Sequence, residues 1–348
     1  MAAKKVLIVD DSLTMRALFT NALEKSKDLV VVGAADGADE ARELIAELRP
    51  DVITLDVEMP GMNGLEFLEE IMTTHPRPVV MLSTLTQKGA DVTMRAIELG
   101  AVDCFPKPTK ATPAEFDAIS GKLCKVVLTA AKTNLSVRTS VPKAAPKAAS
   151  GEYAWDGSLV AISGGVGGIE AAMEMLSAYP ANCPPTILLL QVEEGFGVPL
   201  ASKLAKTIAP KVKLADDGAP LEPGTVYVTV DPSQHVVVDR WPGGCLRRID
   251  RDPVNGCRPS ADLLFASAAK VAKGHCTGVI LSGDGSDGAA GLGAIKAAGG
   301  KTFAQTADTA LLRDVIDVAQ AKGVIDALAG AGELGHMVLG SSGEQLAA

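Results

Sequence analysis

The chain lacks three things that would each narrow its class at once. It has no excess of positive charge: 33 Lys and Arg stand against 42 Asp and Glu, for a net charge of -9. That balance argues against a nucleic-acid surface. It has no cysteine framework, since six cysteines in 348 residues show no CxxC and no regular spacing. They read as buried small hydrophobes in a reducing compartment. It also has no apolar run near the roughly 18 residues needed to span a bilayer. The opening MAAKKVLIVDD breaks too early for a signal peptide and reads as a first strand. A cytoplasmic location without membrane insertion is the expectation. No terminal helix-turn-helix pattern supports DNA binding.

What is present points to two α/β domains. A single core usually divides beyond roughly 250–300 residues, and 47% hydrophobic residues supply material for two. In the first 130 residues, KVLIV (5–9), LVVVGA (29–34), the run ending at Asp56, RPVVMLST (77–84) and Ala101 to Phe105 read as strands. Between them lie helical patterns. Ser12 caps one with Met15, Leu18, Phe19 and Leu23 on a stripe. Residues 37–48 form the next and stop at Pro50. Asn63 opens a third, Val92 to Leu99 lie in a fourth, and the last runs from Thr112 into the 120s. Five strands alternating with five helices predict a doubly wound parallel sheet. Three of the strands end on charge: Asp10 and Asp11 close the first, Asp56 the third, within DVITLDVEMPGMNG, and Lys107 the fifth. Strand ends of this kind meet at the C-terminal edge of one sheet.

A connector rich in Ala, Pro and Ser follows, giving expected boundaries of 1–130, 131–156 and 157–340. The second half repeats strand, glycine turn and helix at 158–176 and at 277–300, with TILLLQ a buried strand between them. TVYVTV and HVVVDR alternate around DPSQ, which predicts an added β-hairpin. The glycine turns fit neither GxGxxG nor GxxxxGK[ST], and GDGSDG lacks the closing acid of a calcium loop.

The first half resembles the receiver domain of two-component response regulators, through Asp10-Asp11, Asp56 in LDVEMPGMNG, Ser83 and Lys107-Pro108. The resemblance implies that Asp56 accepts a phosphoryl group from a histidine kinase, while Asp10 and Asp11 help Asp56 hold Mg²⁺. Lys107 would pair with the phosphoryl oxygens and Ser83 would bond to them. Clustered carboxylates suit Mg²⁺, and a lysine offsets their mutual repulsion. One departure is that Cys104, followed by Phe105, stands where receivers usually carry a switching aromatic.

The whole chain resembles the chemotaxis protein-glutamate methylesterases. The match rests on AISGGVGG-E, Gln191 with Gly195-Phe196, Asp217-Gly218, DPVNGCRPSAD (252–262), LSGDGSDGAAG (281–291) and Ala304-Gln305. The family's nucleophilic serine and its histidine fall on Gly165 and Val192, so only the aspartate remains, as Asp287. Asp284 replaces a methionine beside the oxyanion site, and Glu193 and Glu194 add charge next to the missing histidine. Ser-His-Asp chemistry needs a hydroxyl and a base. A relocated set would draw on Ser163 or Ser282 with His235, since His275 precedes a buried strand and His75 and His336 lie outside the expected cleft; Cys257 has no visible partner. The resemblance therefore implies a phosphorylation-dependent chemotaxis regulator with a non-catalytic effector that binds chemoreceptors or an active methylesterase paralogue. The alternative is an active methylesterase and glutamine deamidase with relocated residues.

Overall fold

The structure, a computed structural model, describes residues 2–83, 87–108, 112–136, 153–191, 197–229 and 231–345. Its internal contacts divide the chain into two compact units, Met1–Leu135 and Ser136–Ala348.

The first unit alternates β1 (Lys4–Val9), α1 (Leu13–Leu23), β2 (Leu29–Ala35), α2 (Ala38–Leu48), β3 (Val52–Asp56), α3 (Gly64–Thr74), β4 (Val79–Ser83), α4 (Gln87–Leu99), β5 (Asp103–Pro106) and α5 (Pro113–Ala130). All strand pairs are parallel, in the order β2-β1-β3-β4-β5. This is the doubly wound sheet expected from the sequence. β3 and β4 are buried at every position, as parallel strands covered on both faces require. The predicted helix starts are made by side chains. Ser12 Oγ accepts from Met15 N, Asn63 and Glu66 form a reciprocal capping box, and Thr112 Oγ1 accepts from Glu115 N. Phe19 and Phe116 meet edge to face at 4.9 Å and pin α1 to α5.

The second unit runs β6 (Tyr153–Trp155), β7 (Leu159–Gly164), α6 (Gly168–Leu176), β8 (Thr186–Leu190), α7 (Gly197–Thr207), β9 (Lys211–Leu214), β10 (Thr225–Thr229), β11 (His235–Val238), β12 (Leu246–Ile249), α8 (Ala261–Ala272), β13 (Cys276–Ile280), α9 (Ala289–Ala297), β14 (Lys301–Gln305), α10 (Asp314–Ala321), β15 (Ala327–Ala329), α11 (Ala331–Ser341) and β16 (Gly343–Gln345). Seven of these strands form a parallel sheet in the order β15-β14-β13-β7-β8-β10-β9. Tyr153–Trp155, expected in the connector, pairs antiparallel with Gly343–Gln345.

The expected hairpin is present but is built from a different pair of strands. HVVV pairs with Leu246–Ile249 across the WPGG turn, whereas Thr225–Thr229 is an interior strand of the parallel sheet between β8 and β9. TVYVT alternates polar and apolar residues, yet every position is buried. Its polar atoms are satisfied inside: Tyr227 OH donates to Pro220 O, and Thr229 Oγ1 donates to Leu188 O at 3.3 Å. Alternation here mimics a half-exposed strand because hydroxyls were buried with partners.

Candidate functional site

In the first unit, the C-terminal edge of the sheet gathers the predicted charged residues. Carboxylate oxygens of Asp10, Asp11 and Asp56 lie within 4.8 Å of one another. Lys107 Nζ lies 2.7 Å from Asp10 Oδ2 and 2.7 Å from Asp56 Oδ2. Asp10 is fully buried and Asp56 is 4% exposed, while Asp11 is exposed. The sequence joins these groups because β1, β3 and β5 are parallel and their ends fall at one level. Ser12 N donates to Asp10 Oδ1 at 3.0 Å, and Glu58 N donates to Asp56 Oδ1 at 3.2 Å. Burial pushes the Asp56 carboxyl above the ordinary carboxylate range, with the Asp10 charge adding to it; the Lys107 ammonium and the Glu58 N–H pull the other way. Three clustered carboxylates, two of them buried and one open to solvent, provide the all-oxygen donors that Mg²⁺ takes, so the residues present fit that ion. Ser83 is buried at the end of β4, and its carbonyl accepts from Lys107 N at 2.8 Å.

Two residues of this site escaped the sequence reading. Gly64, the first residue of α3, backs directly onto Asp56: a Cβ there would lie 1.9 Å from Asp56 O. Arg16, one turn into α1, donates from Nη1 to Asp10 O at 2.7 Å and to Asp11 O at 3.1 Å. The M-N-G tripeptide carried the first signal, as a capped helix start that must approach a strand end. Nothing local marked Arg16. The departure noted at Cys104 and Phe105 places both in the interior, at 3% and 1% exposure. Burial holds the Cys104 thiol well above its usual range.

In the second unit, Gly165, Ser282 and Asp287 converge where β7 meets β8 and β13. β7 connects to β8 on one side, whereas β13, which the chain reaches later, lies on its other side, so the strand order reverses here, the position at which open α/β sheets bind ligands. Gly165 N donates to Ser282 O at 2.8 Å, and a Cβ on Gly165 would sit 3.2 Å from Gly283 Cα, 3.5 Å from Asp284 Oδ1 and 3.6 Å from Asp284 N. The position has neither a nucleophile nor much spare room. Val192, Glu193, Glu194, Gly195 and Phe196 lie outside the described residues.

Asp287 is 6% exposed and accepts four hydrogen bonds. Ser260 Oγ (2.7 Å) and Asp262 N (3.0 Å) donate to Oδ1, and Ala261 N (2.7 Å) and Gln191 Nε2 (3.0 Å) donate to Oδ2. Three of these donors belong to the first turn of α8 or its cap. Asp262 returns the arrangement: its Oδ1 accepts from Gly288 N at 2.9 Å and Gly291 N at 2.7 Å, at the start of α9. Each carboxylate thus closes the N-terminus of the helix that carries or follows the other. Burial pushes the Asp287 carboxyl up, against the pull of its donors. The role of helix anchor accounts for this aspartate, whose hydrogen-bond partners include no histidine among the described residues.

Two of the rescue candidates, His235 and Ser282, are also engaged. His235 is fully buried. Its Nδ1 accepts from Ser260 N at 3.1 Å and its Nε2 lies 3.1 Å from Asp252 O, which fixes the neutral tautomer with the proton on Nε2. Both ring nitrogens are occupied, so this imidazole is a structural pin between the 252–260 loop and α8. Ser282 is fully buried, donates to Val166 O at 2.6 Å and accepts from Leu312 N at 2.9 Å. Its hydroxyl supports the Gly167 turn, where a Cβ would meet it at 2.8 Å. Ser163 is buried within β7, and Cys257 is half-buried.

A doubly wound sheet with an acidic cluster and a lysine at its edge, followed by a parallel α/β unit, defines a response regulator with an α/β effector. The comparisons name the family. The family model for the response regulator receiver domain matches residues 6–114, and that for CheB methylesterase matches residues 160–338. The chain is 42% identical over 325 residues to a protein-glutamate methylesterase/protein-glutamine glutaminase of Rhizobium etli, covering 93% of this chain and 92% of that one. It is 46% identical over 308 residues to the Caulobacter vibrioides protein-glutamate methylesterase/protein-glutamine glutaminase 1, covering 88% of each. The CheB methylesterase catalytic domain of Thermotoga maritima superposes with a TM-score of 0.51 at 27% identity, over 53% of this chain and 98% of that one. The chain belongs to the CheB methylesterase family of chemotaxis response regulators. No helix among the described residues is long and apolar enough to cross a membrane.

Proposed function

We propose that this chain is a phosphorylation-controlled regulator whose second unit binds its partners without hydrolysing them. In the receiver, Asp56 takes the phosphoryl group of a histidine kinase: a carboxylate oxygen bonds to phosphorus as the phosphorus–nitrogen bond to the kinase histidine breaks. Asp10, Asp11 and Asp56 would hold Mg²⁺, which supplies neutralisation of the phosphoryl oxygens when bound. Lys107, already bridging Asp10 and Asp56, moves its contact to the new phosphoryl oxygens, and Ser83 bonds to them once they arrive. A bond made in only one state is what shifts a two-state element.

In the effector, the observation that carries the reading is the engagement of Ser282, His235 and Asp287, three of the groups that could serve a relocated site. Gly165 has no side chain, Ser282 serves the Gly167 turn, both nitrogens of His235 are bonded, and Asp287 is taken up by four donors. Acyl transfer needs a nucleophile in contact with a base, and no such pair occurs among these residues. Asp284, in the turn beside Gly165, brings a carboxylate toward the place where negative charge would develop. The effector partner that family membership favours is a methyl-accepting chemoreceptor, and an active methylesterase paralogue is the alternative. A fluorophosphonate probe, which labels activated serines, tests the assignment directly. The full chain should remain unlabelled with and without phosphorylation; stoichiometric labelling on Ser163 or Ser282 would refute it.

A further inference from the structure

A separate recess opens on the same sheet edge, two strands away from β7. A cleft of about 300 Å³ lies at the ends of β9 and β10 beside the start of α7, lined on its apolar side by Val198, Leu214, Ala215, Val228 and Val236. Val198 is 63% exposed, so the wall has a large apolar side chain left largely uncovered by the described residues. The polar groups divide into two sets. Arg248 is paired with Asp231, whose Oδ1 also accepts from Ser233 N at 2.8 Å, and Thr229 donates to Leu188 O. The Asp216 carboxylate and the Gln234 amide line the same cleft, and neither side chain has a hydrogen-bond or ion-pair partner among the described residues.

The cleft therefore offers an open carboxylate, an open amide and an apolar wall, and its one cation is already engaged. An anion would meet Asp216 and Asp231 with only a neutralised guanidinium to answer them. A zwitterion would need Arg248 released from its pair. An alkyl cation satisfies every open group: its methylenes cover Val198, Leu214 and Val228, its charge faces Asp216, and Gln234 Oε1 accepts from it. Long cationic side chains lie on apolar walls in this way, with the charged tip toward water. The volume is at the low end for ligand sites, roughly 300–1,000 Å³, and holds one long side chain, not a folded element.

We propose that this cleft receives a lysine or arginine side chain protruding from a partner polypeptide. The acidic surface of the chain, with a net charge of -9, favours the approach of such a partner. The inference goes beyond the loss of hydrolysis and does not depend on it.

Methyl-labelled full-length protein titrated with Nα-acetyl-lysine methylamide and Nα-acetyl-arginine methylamide tests it. Saturable shifts of the Val198, Leu214 and Val228 methyls are expected, weakened by added salt and absent with the neutral Nα-acetyl-norleucine methylamide. Asp216→Asn, on an exposed turn, should fold normally and weaken binding about 3- to 5-fold, the upper range for an exposed charge pair. Cadaverine and agmatine, which lack a peptide backbone, should bind more weakly than the capped amino acids; the reverse order would replace the polypeptide source by a free amine. No saturable shift with either cationic probe, equal binding of the norleucine probe, or an unchanged affinity in Asp216→Asn would overturn the proposal.

Discussion

Asp287→Asn replaces one oxygen by an NH₂ at nearly constant volume, and the two readings of this residue predict different results. A triad aspartate orients a histidine, so its amide variant loses activity and little stability. A helix anchor loses stability. The magnitude follows from the four donors. If the new NH₂ occupies the Oδ2 position, Gln191 can turn its amide to present oxygen, but Ala261 N–H is left facing another donor. If it occupies the Oδ1 position, Ser260 can rotate to accept, but Asp262 N–H is orphaned. Either way one buried backbone N–H loses its partner, at about 1–3 kcal/mol. The negative charge at the start of α8 is lost as well, at about 0.3–1 kcal/mol. The sum is about 1.5–4 kcal/mol. At roughly 2–4 °C per kcal/mol for a unit of this size, calorimetry should show the effector transition falling by roughly 3–15 °C. Asp262→Asn is the matched control. Its Oδ1 can keep both Gly288 N and Gly291 N, and Asn255, which donates to Oδ2 at 3.1 Å, can flip. Only the charge is lost there, about 0.3–1 kcal/mol. An Asp287→Asn protein that melts within about 1 °C of the parent, or below it by less than Asp262→Asn does, would refute the anchoring argument.

The other predictions concern the receiver and the glycine turn. Asp56→Asn should abolish the aspartyl phosphate formed from a histidine kinase or acetyl phosphate, read by intact mass, and chelation of divalent cations should do the same to the parent; undiminished labelling would move the acceptor elsewhere. Gly64→Ala drives a methyl to within 1.9 Å of Asp56 O, so the receiver should melt lower by the equivalent of about 1–3 kcal/mol and take phosphate more slowly; unchanged phosphorylation kinetics would mean that the start of α3 yields freely. Ser83→Ala should still incorporate phosphate but lose the phosphorylation-driven change in proteolysis of the connector, and an undiminished change would sink its assignment. Gly165→Ser should fold with a small cost, because the nearest backbone atom to its Cβ is 3.2 Å away, and should gain no fluorophosphonate labelling without a base.

Nearly all of the receiver was legible because local signals agreed at each level. Apolar runs gave the strands, Ser12, Asn63 and Thr112 gave helix starts, and the parity of parallel strand ends placed Asp10, Asp56 and Lys107 together. The effector was less legible where partners are distant in sequence. The alternation in TVYVT pointed to a hairpin because nothing nearby shows that Tyr227 and Thr229 spend their hydroxyls on Pro220 and Leu188 carbonyls. Lys211–Leu214 and Ala327–Ala329 went unrecognised as strands because each is short and at a sheet edge. Asp287 could be placed by its glycine-rich motif, but its donors Ser260, Ala261 and Asp262 lie about 25 residues upstream, and Gln191 lies 96 away. Sequence spacing cannot report that the crossed carboxylates of Asp287 and Asp262 hold two helix starts. His235 was legible as a candidate base and not as a pin, since the residues that occupy its nitrogens come from the 252–260 loop.

The most direct test of a non-hydrolysing effector is product release from its family's substrate. Methanol from methylated chemoreceptor and ammonia from the glutamine form would be followed side by side, using the full chain with Asp56 phosphorylated and unphosphorylated, and an active relative as the positive control. The account predicts both products at the level of the heat-inactivated protein in every state. Phosphorylation-stimulated release above that level, lost in Ser163→Ala, Ser282→Ala or His235→Ala, would contradict it.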